Sequence, residues 1–122
     1  PMGRKMTDFT KSQKKHFRQL AGQCYEKEMS IALEALYEDF QKWKNSEITP
    51  SDLTEKIHEH HDKTARELWK TYVQINDPSL AVCIALAKGI ISIDEVQENC
   101  RELIETRSEF FKQEEQNGST TN

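Results

Sequence analysis

Three of the four histidines in this 122-residue chain lie in one short run, residues 58–62, which reads His-Glu-His-His-Asp. On a helix His58 lies three residues before His61 and four before Asp62, so these side chains can share one side of it. Two imidazoles and a carboxylate suit a divalent metal such as zinc or iron. A further ligand or a base can come from Glu55 or Glu59. The pattern therefore predicts a candidate metal site at His58, His61, Asp62 and Glu55.

Two helical metal-site patterns match this run only in part. The metalloprotease pattern His-Glu-x-x-His has a histidine where Asp62 stands, so a zinc protease is not indicated. Glu55 and His58 have the Glu-x-x-His spacing of four-helix di-iron proteins, which use two such pairs and two further carboxylates. The chain holds one pair, and only a homodimer would bring two together.

A third pattern is the His-Asp dyad of metal-dependent helical phosphohydrolases. His61 and Asp62 supply the dyad, but such a site also needs an upstream histidine and a downstream aspartate. His16 is the upstream candidate, and Asp77 or Asp94 is the downstream one. No Gly-rich phosphate loop and no Ser/His/Asp signature is present.

A packing interpretation explains the same residues without a metal. His61 falls on an apolar row, where a neutral, hydrogen-bonded imidazole is ordinary. Asp62 can pair with Arg66, and Glu59 with Lys63, since each acid precedes its base by four residues. This interpretation favours a protein without a cofactor and without catalysis.

The first predicted helix is long. Thr10 and Gln13 fit a capping box, and two adjacent apolar rows continue to about Lys44, which predicts a broad buried face. An unbroken helix of this length would measure about 52 Å, whereas a compact chain of this size is roughly 35 Å across. The helix therefore either bends near Gly22 or projects into a partner.

Three further helices follow from local signals. Thr49 and Pro50 begin the second, Leu80 to Ala87 forms a short third that is apolar all round, and Ser92 with Glu95 begins the fourth. We expect an all-α, four-helix arrangement with two long amphipathic helices, a short buried third helix and a fourth amphipathic helix. The domain is predicted at 10–113, after a flexible segment 1–9 and before a solvated tail 114–122. The fourth helix places Val96, Cys100, Leu103, Arg107 and Phe110 or Phe111 on one face.

Composition limits the environment and the partners. The longest apolar run is far shorter than the roughly 20 residues that span a bilayer, and no charged and apolar leader opens the chain. Cys24, Cys83 and Cys100 are widely spaced on apolar faces, as expected of reduced, buried thiols. We therefore expect a cytoplasmic protein without a membrane association.

Charge is unevenly distributed. Six basic residues and one acidic residue give +5 up to Arg18, whereas eight acidic and three basic residues give −5 from Ser92 to Gln116. The basic end lacks interleaved aromatic or Gly-rich elements, so nucleic acid is an unlikely partner. Opposite ends can attract a second copy, and we expect a homodimer or an unknown protein partner.

The block Ile57-His58-Glu59-His60-His61-Asp62, with Ala65-Arg66-Glu67-Leu68-Trp69 and Tyr72 after it, resembles a small family of bacterial helical proteins with no assigned function. The resemblance extends over residues 10–110, and this block is its specific part. It implies a bacterial cytoplasmic source and supplies no residue roles.

Overall fold

The computed structural model describes residues 9–102 and 104–107, and every element assigned within them is helical, which confirms the all-α prediction. The helices are α1 (Lys11–Lys44), α2 (Pro50–Glu59), α3 (Arg66–Trp69) and α4 (Pro78–Lys88). None of these described helices is long and apolar enough to cross a bilayer. Leu103, Phe110, Phe111, the tail 114–122 and the predicted flexible segment before Phe9 lie outside the described residues.

Helix α1 begins at the predicted capping box and is continuous through Gly22. The Gln13 N–H donates to Thr10 Oγ1 at 3.1 Å, and the Thr10 N–H donates to Gln13 Oε1 at 2.8 Å. The helix has 34 residues, which corresponds to about 51 Å. The helix is therefore unbroken at Gly22, and its length exceeds the roughly 35 Å expected for a compact chain of this size.

Residues 50–74 form a second helical rod that returns along α1. Thr49 caps it and Pro50 takes its first position, as predicted, and Asp52 completes a capping box. Two π-helical stretches, His60–Ala65 and Lys70–Gln74, flank α3. Because a π-helical turn holds more residues than an α-helical one, the side chains after Glu59 lie on different faces from those a 3.6-residue period predicts.

The buried core lies at one end of the molecule, which we call the base. There α4 packs against the first half of α1, and the end of the rod and the described residues of the segment 91–104 complete the enclosure. As predicted, α4 is central and its side chains are buried on several faces. It ends at Gly89, whose φ of +76° is the left-handed conformation that glycine adopts most easily. The largest fully buried apolar side chains of the base are Phe17, Ile104, Val82 and Val96.

Residues 30–65 extend away from the base, and we call them the arm. Within the arm Leu53 is the only buried side chain. The prediction that α1 buries a broad face up to Lys44 is therefore wrong beyond Cys24, the last buried residue of α1. The physical reason is that α4 and residues 91–104 cover only the first half of the helix.

The start of the fourth helix also differs from the prediction. The Ser92 N–H donates to the Glu95 carboxylate at 2.9 Å, but the backbone after this cap is 3₁₀-helical at Ile93–Glu95 and extended at Val96. A second 3₁₀ turn, Glu98–Cys100, precedes the helical residues 101–102 and 104–107. The interruption lets Val96 enter the core, where it is 1% exposed.

A carboxylate joins three elements of the base. Glu28 of α1 accepts a short hydrogen bond from the Tyr72 hydroxyl of the rod, and Lys88 of α4 donates to both its oxygens at 2.8 and 2.9 Å. The Glu28 side chain is only 12% exposed. Burial first, and then the neighbouring Glu28, raise the pKa of Tyr72.

Replacing Tyr72 by phenylalanine removes the hydroxyl donor, so that the largely buried Glu28 carboxylate keeps only the Lys88 contact of the two described above. We expect the free energy of unfolding to fall by about 1 to 2 kcal/mol, measured by urea denaturation. Tyr37→Phe is the matched control, since the Tyr37 hydroxyl meets Gln41 on an exposed part of the arm. An equal loss in both variants would contradict the role of the Glu28 contact.

Candidate functional site

The histidine run lies on the arm, where α2 passes into its first π-helical stretch. Glu55, His58, Glu59 and Asp62 line one open depression together with Lys63. The structure thus brings three of the four predicted metal-site residues, Glu55, His58 and Asp62, to one surface. All three side chains are exposed to solvent.

His61 belongs to a neighbouring depression, with Asp62, Ala65, Arg66 and Trp69. Its Nδ1 lies 3.1 Å from Asp62 Oδ1, and its side chain is 85% exposed. This hydrogen bond is the main cause that lowers the pKa of Asp62. The prediction that His61 lies on an apolar row is therefore wrong. Asp62 contacts His61 at this distance, whereas the sequence predicted a pair with Arg66.

The π-helical turns explain why the rod side chains that face α1 differ from the apolar row predicted for this helix. The groove between α1 and the rod is lined on the rod side by Lys56, Glu59, His60 and Thr64, and on the α1 side by Ala32, Ala35, Leu36 and Asp39. His60 therefore takes the half-buried place predicted for His61, while Ile57 is 39% exposed. The rod turns a largely polar face toward α1 within the arm.

The residues proposed to complete a phosphohydrolase site lie in the base instead. His16 Nε2 accepts a hydrogen bond from the Gln97 N–H at 3.0 Å. Asp77 caps α4 and pairs with Arg107 at 3.1 Å. About twenty residues of α1, or ~30 Å, separate His16 from the level of the histidine run. His16 and Asp77 are thus not assembled with His61 and Asp62, and neither is Asp94, which lies between Ile93 and Val96 of the base.

The described part of the chain contains no cluster of three or more histidine, cysteine, aspartate or glutamate side chains arranged to hold a metal ion. Cys24, Cys83 and Cys100 are buried thiols, as predicted. Burial raises the pKa of Cys24 to about 11 and also raises that of Cys100. These two thiols are therefore protonated at neutral pH and are poor nucleophiles.

Helix α1 and the rod carry a second feature, an exposed apolar surface that none of the sequence motifs indicates. Trp43 and Trp69 are 39% and 44% exposed. The other large apolar side chains exposed on α1 and the rod are Ile31, Leu33, Tyr37, Phe40, Ile57 and Val73. A signal was present in the sequence, because Met29, Leu33, Leu36, Phe40 and Trp43 are separated by alternating steps of four and three. We call these five residues the seam.

Protonation of His16 should weaken the base. A backbone N–H can only donate, so His16 Nε2 must carry a lone pair, and a protonated imidazole cannot accept this bond. Burial lowers the His16 pKa below its ordinary value of 6.5. The unfolded chain then takes up the proton first, so the contribution of His16 to stability is complete above pH 6.5 and falls as pH drops toward the folded-state pKa.

His16→Gln tests this titration, because a glutamine oxygen can accept the same bond without titrating. Between about pH 7.5 and pH 5, we expect the free energy of unfolding of the natural protein to fall relative to that of the variant. A difference that is independent of pH would show that His16 does not titrate against this contact.

No family model, no curated protein and no solved structure matches the chain. The resemblance of residues 57–72 to a bacterial helical family therefore stays a prediction.

Proposed function

We propose that this protein acts through protein contacts rather than catalysis, that the arm is its contact surface, and that a second copy of the chain is its partner. The observation that carries the proposal is the apolar surface of the arm and of the adjoining rod. Large side chains there are exposed at spacings at which a helix normally buries them.

The exposed apolar area of α1 within the arm is close to what one interface needs. A large apolar or aromatic side chain covers about 200 Å² when fully buried, so the exposed fractions of Leu33, Tyr37, Phe40 and Trp43 amount to about 370 Å². A standard interface takes about 800 Å² from each partner, of which about 60% is apolar. These side chains therefore supply most of the apolar area of one contact of ordinary size.

The sequence predicted that opposite charges at the two ends attract a second copy, but His16 and Gln97 bring the described parts of these ends together within one base, so the proposal depends on the apolar surface and not on this attraction. A bacterial cytoplasmic location is part of the same proposal and depends on the sequence resemblance.

Light scattering coupled to gel filtration tests the proposal. We expect the 14.3 kDa chain to elute with the mass of a dimer at micromolar concentrations and to shift toward the monomer on dilution. Moderate salt should leave the dimer largely intact, because apolar burial is not screened. A strict monomer up to about 100 µM would contradict self-association.

A second candidate function is divalent metal binding by the histidine run, with zinc or iron as the ion. Its support is that Glu55, His58 and Asp62 line one depression with Glu59, on an exposed surface. The chain would then be a metalloprotein or a metal-dependent hydrolase, with Glu59 as a further ligand or base.

Metal content measured by mass spectrometry on tag-free protein tests this candidate. Bound metal at one ion per chain or per dimer should be lost in His58→Ala and in Asp62→Ala. His16→Ala is the matched control, because that histidine lies in the base. Metal that persists in both arm variants would contradict the assignment, and so would protein that neither contains metal nor is stabilised against heat by added zinc, iron or manganese.

A further inference from the structure

We infer that two copies pair antiparallel through the seam, so that the α1 helices of their arms cross near Glu38 and the bases lie at opposite ends of the dimer. This inference rests on the proposed function and names the surface and the orientation. It depends on the spacing of the seam, the sizes of its residues and the charged residues that precede it along α1.

The spacing is that of a helix which pairs with another helix. Steps of four and three place successive residues on one stripe of a helix, as at the a and d positions of a coiled coil. The seam has this spacing from Met29 to Trp43, and Leu33, Phe40 and Trp43 are between 38% and 49% exposed. The other two seam residues are half-buried: Leu36 borders the groove beside the rod with Ala32 and Asp39, and Met29 packs against the base.

Residue sizes favour the antiparallel orientation. A two-fold axis near Glu38 places Leu36 opposite the partner's Phe40, and Leu33 opposite the partner's Trp43. Each layer then combines one aliphatic and one aromatic side chain, which keeps the layer volumes nearly equal. A parallel pair would instead stack Phe40 on the partner's Phe40 and Trp43 on the partner's Trp43, next to two layers of leucine alone.

Charges outside the seam favour the same orientation. The same spacing, continued toward the base, reaches Glu26, Gly22, Gln19 and Lys15, and all four are exposed. A parallel pair would bring Glu26 against the partner's Glu26 and Lys15 against the partner's Lys15, and like charges in contact are unfavourable. The antiparallel pair separates these residues, because the seam overlaps only along the arm.

The rod of each copy can extend the contact. Lys56 and Asp39 line the same groove, and the rod runs opposite to α1, so the next residue of the rod, Ile57, is near the level of Glu38, where the helices cross. Ile57 is exposed although α1 lies beside it. Two arms that pair through α1 would therefore form a four-helix bundle in which Ile57 borders the central layers.

A pair of matched variants tests the surface. Leu33→Glu puts a charge on the seam, whereas Ile31→Glu puts the same charge two residues away on the opposite side of α1; the natural side chains are 49% and 59% exposed. Both side chains are exposed, so the circular dichroism spectrum and the melting temperature of the base should stay the same in both variants. We expect Leu33→Glu to weaken dimerisation by about tenfold or more, and Ile31→Glu to leave it unchanged.

A distance measurement tests the orientation. A spin label at Lys15→Cys lies 23 residues from the crossing level, so two labels in the antiparallel dimer should be about 70 Å apart. In a parallel dimer they would be within about 25 Å. Cys24, Cys83 and Cys100 are each 0% exposed, so labelling of the folded protein should be confined to the new cysteine.

The outcomes separate this inference from the proposed function. A dimer that Leu33→Glu does not weaken, or one that Ile31→Glu weakens as strongly, would overturn the seam as the surface and leave self-association standing. A short label distance would overturn the antiparallel orientation alone. A natural protein that stays monomeric would overturn both the inference and the proposed self-association.

Discussion

The arrangement of the chain depends on the enclosure of α4, an eleven-residue helix whose side chains are largely apolar all round. Burial of such a helix requires apolar surface on several sides at once. The first half of α1, the end of the rod and residues 91–104 provide that surface, and Val96 reaches it only because the backbone is extended there. Glu28 then joins α1, the rod and α4 through Tyr72 and Lys88. With these segments committed to the base, little apolar surface remains to cover the arm.

Local signals determined what the sequence could predict. The starts of α1 and the rod each depend on a few adjacent residues, and both were predicted correctly. Two features that depend on more distant residues were not. The π-helical turns changed which side chains of the rod face α1, and the periodicity of α1 could not show that only its first half would be covered.

The histidine run illustrates the same difference between local spacing and tertiary context. The sequence correctly placed Glu55, His58 and Asp62 near one another, because they are close along one helix. It placed His61 in an apolar environment, whereas the structure exposes it beside Asp62 and puts His60 in the groove. Exposed side chains on one helix keep their hydration and their mobility, so a metal would have to order them on binding. By contrast, the exposed apolar side chains of α1 lie on a continuous helix, and contact with a second copy would be enough to bury them.

The central claim is that the arm gains its packing from a second copy, and hydrogen exchange of the amides at increasing protein concentration tests it most directly. In a lone chain the arm has few buried contacts, so its amides should open and exchange faster than those of the base. The account predicts that exchange at residues 33–43 slows as concentration rises, while exchange in α4 stays constant. Exchange in the arm that is as slow as in α4 at the lowest concentration, or that does not change with concentration, would contradict it.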